Sequence, residues 1–250
     1  MKLKKIAAPA LIAASLLLAA GSSSAGVVNV GGVIWDTDSF FDFSANSTLV
    51  ENVATIAGQT ISGYGRITTI NTDTSASFCP GCELTYTFSG YTLLNTLTPA
   101  VGDTFGFTGG VLNFFVSAPN SNFSLPGTFA DGTPWLTLIG ADPFSTGKTL
   151  EGSITGVSSQ GAILTGQGSG FLDVAGGLAA AYFDTNSQFG ADFKYTSEFQ
   201  PLPNAIGDKT HLGTATIVGN SQEVPEPGVI ALLGLGFAGL GFVRRKQKKA

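Results

Sequence analysis

Cys79-Pro80-Gly81-Cys82 is the pair of reactive side chains whose spacing says most about its chemistry. Pro-Gly is the favoured centre of a type II turn, whose ends lie under about 7 Å apart. Disulfides need Cα atoms in that same range. Two cysteines in a chain bound for export, as argued below, read as one structural disulfide. A thioredoxin-like redox pair needs a helix after the motif to lower the thiol pKa, and here a strand pattern follows. A c-type haem site needs histidine where this chain has Glu83, and a zinc site needs more than two cysteines and the distant His211. The bridge is expected to pin the turn before the next strand.

Other candidate groups are sparse. Asp36, Asp38 and Asp42 could offer oxygens to Ca²⁺, but the spacing lacks the glycine and distal glutamate of an EF-hand loop. They read as a polar loop beside an aromatic cluster. His211 is the only histidine, no Gly-x-Ser-x-Gly elbow accompanies it, and Asp208-Lys209-Thr210-His211 reads as a polar loop. A glycosidase would need two carboxylates at a separation set by the fold, drawn from Glu51, Glu83, Glu151 and Glu198. Gly166-Gln167-Gly168-Ser169-Gly170 lacks the Lys-Ser/Thr of a phosphate loop and reads as glycine-rich β turns. No catalytic residue, cofactor or resident metal is assigned, and the chain is expected to be non-enzymatic. The abundant Phe, Tyr and Trp residues are expected to be mostly core, with a sugar-stacking platform among them left unassigned.

The elements that must position these groups are strands. Glu83-Leu84-Thr85-Tyr86-Thr87-Phe88 alternates strictly, with Leu84, Tyr86 and Phe88 on one face, as a half-buried antiparallel strand does. Further strands are predicted at 32–35, 64–70, 111–117, 135–139, 149–154, 161–165, 171–174, 193–196 and 213–218. Turn signals such as Leu125-Pro126-Gly127 and Asp131-Gly132-Thr133-Pro134 separate them. Gly177 to Phe183 reads as a short helical turn or buried connection, and 200–204 and 219–224 as loop and linker. The pattern predicts an all-β, antiparallel β-sandwich or jelly-roll-like ectodomain over 26–220.

Both ends of the chain differ from this middle. Met1 to Lys5 is a basic n-region, Ile6 to Ala20 an apolar run, and Ser23 and Ala25 supply the small residues of a signal-peptidase site, so residues 1–25 read as a signal peptide. At the other end, a 221–227 linker precedes Gly228 to Val243, which carries no charged residue, and the basic 244–250 tail. Sixteen residues of helix extend about 24 Å, short for a hydrocarbon core of about 30 Å. Glycine is common in membrane spans, and a basic cluster marks the cytoplasmic end. A single transmembrane helix at 228–243 is therefore expected. Between Gly26 and Pro227, Arg66, Lys148, Lys194 and Lys209 face all 17 acidic residues, a balance of −13. Such a surface repels nucleic acid.

Pro225-Glu226-Pro227, a short apolar span and Arg244-Arg245 resemble, in that order, the PEP-CTERM sorting signal of Gram-negative bacteria. The resemblance is confined to the last 27 residues. It implies recognition by an exosortase, a membrane-embedded transpeptidase that cleaves near the motif. It further implies transient anchoring in the inner membrane, then residence at the cell surface or in an extracellular matrix. A structural or adhesive part in exopolysaccharide, biofilm or floc formation follows from the resemblance alone. A carbohydrate-binding adhesin with a defined ligand site is the alternative, and a surface polysaccharide hydrolase a third reading.

Overall fold

A computed structural model describes residues 26–37 and 42–222. The signal-peptide segment with Ser23 and Ala25 lies outside the described residues. So do Asp38, the Pro225-Glu226-Pro227 motif, the 228–243 span, and Arg244 and Arg245.

A hairpin, β1 (Val27–Val30) and β2 (Val33–Asp36), precedes the main sheet. The sheet is built from β3 (Phe43–Glu51), β4 (Thr60–Ile70), the short β5 (Asp73–Thr74), β6 (Glu83–Leu93), β7 (Thr104–Ser117), β8 (Thr133–Ala141), β9 (Leu150–Val157), β10 (Ile163–Gly176), β11 (Phe193–Ile206) and β12 (Lys209–Gly219). The strands follow one another as an antiparallel meander. β8 and β9 lie end to end in one position, both pairing with β7 on one side and β10 on the other. β10 also pairs with β11, and β12 pairs with β3 along nine residues, His211↔Glu51 to Gly219↔Phe43. The meander therefore closes on itself, which leaves no long exposed edge to template aggregation.

Alternation decides the inside. On β3, Phe43, Ala45, Ser47 and Leu49 are buried, while Asn46 is exposed and Ser44 and Thr48 are partly so. β12 repeats the pattern, with Ala215 and Ile217 buried and Thr214 exposed. Apolar side chains point inward and Thr, Asn, Gln and Ser outward, the reverse of a lipid-facing barrel. Among the described residues no helix is long and apolar enough to cross a membrane.

Glycines and aromatic rings occupy complementary places inside. Gly63 lies opposite Phe88, Gly65 opposite Tyr86, Gly152 opposite Phe105, Gly166 opposite Phe199, Gly170 opposite Tyr195 and Gly219 opposite Phe193. In each pair a Cβ on the glycine would come within 2.8 Å of the ring. The ring fills the space that the missing side chain leaves, so a narrow interior accepts large side chains without voids.

The two ends of the interior differ. At the end where β3 begins, Trp35, Phe43, Trp135, Phe183 and Phe193 contact one another at centroid distances of 4.8–6.5 Å. Trp135 Nε1 donates to Val30 O at 2.9 Å, tying the β1–β2 hairpin across this end. The helical turn Ala180–Phe183 contributes Phe183, as expected for a buried connection.

The all-β antiparallel expectation holds, and the fold is sandwich-like in having an apolar layer between two walls. Jelly-roll crossovers are absent among the described residues, because the strands pair in sequence order around the ring apart from the short β5 and the shared position of β8 and β9. Residues 166–170 are not turns but the middle of β10; their glycines sit where rings from β11 approach. Residues 200–204 are part of β11, with Gln200 and Pro201 paired to Leu212 and His211. β3 was not among the predicted strands, since Ser47 and Glu51 stand at inward positions and weaken its apolar alternation.

Candidate functional site

Each residue singled out by its chemistry has a definite place. Cys79 and Cys82 form the expected disulfide, with Cα atoms 5.0 Å apart. Cys82 N donates to Cys79 O at 3.0 Å and Gly81 has φ +78°, as the Pro-Gly turn requires. β6 starts at Glu83, directly after it. The bridge braces a turn rather than opening a thiol.

The four glutamates are not brought together. Glu51 points into the barrel at the end of β3. Glu83 is buried on the outer wall, where Asn120 N and Ser121 N donate to Oε1 at 2.8 and 2.6 Å and Ser121 Oγ to Oε2 at 2.7 Å. It clamps the 118–129 segment, whose Phe123 and Phe129 pack on Tyr64 and Val50 outside the barrel. That cover buries Thr85 fully, so β6 is enclosed on both faces along that stretch rather than half-buried. Glu151 pairs with Lys148 at 2.7 Å on the surface, and Glu198 is exposed on β11.

His211 is buried inside, edge-on to Phe199, with its ring nitrogens on Thr210 Oγ1 and Ile163 O. Burial pushes its pKa down, partly offset by the Ile163 carbonyl. Asp42 accepts hydrogen bonds from Ser221 N and, at 2.5 Å, Ser221 Oγ. Trp35 Nε1 also donates to Ser221 Oγ, and Gln222 N to Tyr182 O. Asp42 thus anchors the end of the described chain. No group of three or more potential metal ligands occurs among the described residues.

The arrangement that sequence reasoning missed lies on the outer wall. Register aligns Glu151, Ser169, Thr196, Thr216, Asn46 and Thr69 in one rank across β9, β10, β11, β12, β3 and β4. A second rank, two residues along, holds Ser153, Gln167, Glu198, Thr214, Thr48 and Arg66. Thr216 Oγ1 donates to Asn46 Oδ1 at 2.7 Å, and Asn46 Nδ2 to Thr69 Oγ1 at 3.0 Å, which orients these side chains. A groove of about 460 Å³ crosses the second rank, lined by Gln167, Glu198, Thr214, Thr48, Thr155 and Thr165.

At the border of this wall stand three phenylalanines. Phe171 lies two residues beyond Ser169 on β10 and meets Phe144 and Phe189 at 5.5 and 6.0 Å. Phe144 is 59% exposed and Phe189 71% exposed. The loop carrying Phe144 is fixed by Asp142, whose carboxylate accepts from Thr146 N and Gly147 N. Ranks of hydroxyls and amides beside an exposed aromatic cluster can hydrogen-bond and stack at once. Legibility fails here because the ranks exist only across strands, in a register no single segment contains.

No curated protein and no solved structure matches this chain. Residues 223–246, immediately beyond the anchored Gln222, match the PEP-CTERM protein-sorting motif, which marks the chain as an exported protein sorted by an exosortase.

Proposed function

We propose that the exported barrel is a non-enzymatic structural or adhesive component of an extracellular polysaccharide matrix, held there through its outer wall. Signal peptidase acting at Ser23 and Ala25 would release the amino end. The 228–243 span would hold the protein in the inner membrane until the exosortase acts at Pro225-Glu226-Pro227. The supporting observation is the pair of polar ranks with the Phe144, Phe171 and Phe189 cluster beside them. Sugar rings offer hydroxyls to hydrogen-bond and C–H faces to stack, and this wall has partners for both. A wall made mostly of hydroxyls and amides, with Glu151, Glu198 and Arg66 among them, also suits a neutral polymer better than the polyanions that the negative balance repels.

The groove across the second rank favours the adhesin reading, in which a defined stretch of polysaccharide is held by Gln167, Glu198 and Thr214. Affinity chromatography of the exported protein on the native matrix polysaccharide tests both. Retention that survives alanine at all three positions supports distributed contact, and retention abolished by them supports the defined site. No retention on the native matrix overturns the proposal. Release of reducing sugar, lost on Glu198→Gln, would replace it with hydrolysis.

A further inference from the structure

Phe144 and Phe189 are the aromatic rings among the exposed large apolar residues of the described chain, and they lie 5.8 Å apart. Phe189 is held there against its backbone preference. Gln188 N donates to Ala191 O at 2.7 Å and Ala191 N to Gln188 O at 3.1 Å, closing a two-residue hairpin turn. Phe189 has φ +59° and Gly190 φ +97°. Positive φ at both central positions marks a type I′ turn, where asparagine, aspartate or glycine is the favoured first residue. A bulky side chain in the left-handed region is strained, and this one stays mostly in solvent. The loop that bears it is firmly fixed. Asp192, buried, accepts from Thr185 N and Asn186 N at 2.7 Å each and from Val174 N at 2.8 Å.

The same 181–192 connection receives the end of the described chain. Thr185 Oγ1 donates to Asn220 O at 3.3 Å, and Gln222 donates to Tyr182 O and Ala181 O. Glu223 to Pro227 then separate Gln222 from the uncharged 228–243 stretch, a reach of about 20 Å at full extension. We propose that in the uncleaved protein Phe144 and Phe189 insert at the headgroup–acyl boundary of the bilayer and dock this side of the barrel on it, an inference that rests on 228–243 being the membrane span read above. Paired exposed rings so close to a membrane tether have an apolar phase within reach, and burial there offsets the strain of the turn. Lys194, paired with Phe171 across β10 and β11, is balanced by Asp173 and Asp184 nearby. The contact is therefore apolar rather than electrostatic, and a zwitterionic surface suffices. Cleavage by the exosortase would withdraw the rings from lipid and free them for polysaccharide, so this part of the wall stays covered until the chain is cut.

The test uses the full chain reconstituted in phosphatidylcholine vesicles without exosortase, with Phe189→Trp or Phe144→Trp as reporter. The native Trp35 and Trp135 are buried and give a constant background. Lipids brominated near the headgroup should quench both reporters, and their emission should be blue-shifted. Ile56→Trp, exposed on the β3–β4 connection at the far end, should be neither quenched nor shifted. Phe189→Asn suits the turn, so it should raise the melting midpoint while weakening the quenching of the Phe144→Trp reporter. A lower midpoint in Phe189→Asn would assign the ring a structural role and overturn the proposal. So would vesicles that carry the chain on flotation yet leave both reporters unquenched, an outcome under which the membrane span stands. A chain that does not float with vesicles would remove the span itself, and the docking with it.

Discussion

Glu51 shows how one inward position couples the fold to pH. Its pKa rises from 4.5 to about 7, chiefly through desolvation, with Lys209 opposing. A raised carboxylate binds its proton more tightly in the folded state than in the unfolded one. Its full contribution to stability is present below pH 4.5 and is lost as pH rises through about 7. Glu51→Gln should remove that dependence and stabilise the barrel at pH 8 by on the order of 3 kcal/mol, read from denaturant midpoints at pH 5 and pH 8. His211 acts the other way: its pKa is lowered, so its contribution is present above its ordinary value and lost as pH falls. Glu83 is the contrasting carboxylate, buried but fully bonded. Glu83→Gln replaces charge-assisted bonds to the 118–129 segment with neutral ones and should cost about 2 kcal/mol. Proteolysis should then begin between Ala118 and Phe129, before the barrel opens.

At the scale of elements, strands are set by pairs rather than by single segments. Gly65 carries no side chain because Thr48 O and the Tyr86 ring would stand 2.5 and 2.6 Å from its Cβ. Gly65→Ala should cost about 3 kcal/mol through overpacking. Gly176→Ala, with open space around the new methyl, should change stability by less than about 0.5 kcal/mol. Thermal unfolding of the two variants separates a packing role from mere backbone freedom. The disulfide is a smaller device. Closing so short a loop is worth about 2 kcal/mol in the chain-entropy estimate, so Cys79→Ser with Cys82→Ser should lower the unfolding free energy by that amount and leave the barrel folded. The Cys-Pro-Gly-Cys turn and the Glu83–Phe88 alternation were legible because local sterics and period-two patterning determine them. β3 was not, because an inward serine and glutamate erased its apolar period. The glycines of β10 misread as turns because the rings that explain them belong to β11.

For the whole molecule, the direction of the chain matters as much as the sheet. The amino and carboxyl ends of the described body, Gly26 and Gln222, both lie at the aromatic end, while Glu51, at the far end of β3, lies at the other. Asn220 to Gln222 read as linker but are pinned: Ser221 is held by Asp42 and Trp35, and Gln222 by Tyr182, Ala181 and Asp184. The sorting motif matches from residue 223, so in sequence only Glu223 and Val224 separate the pinned Gln222 from Pro225-Glu226-Pro227. Deleting 220–222 would draw the motif against Gly219 at the end of β12, where the folded wall obstructs access, and also remove the bonds to Asp42. Sorting should fall, with unprocessed protein accumulating in the membrane fraction. Inserting six Gly/Ser residues after Gln222 leaves every one of those bonds in place and adds reach, so processing should equal or exceed that of the natural chain. Intact mass and cell fractionation of the two variants distinguish the outcomes. Equal processing of both would show that the anchored residues have no bearing on access to the motif.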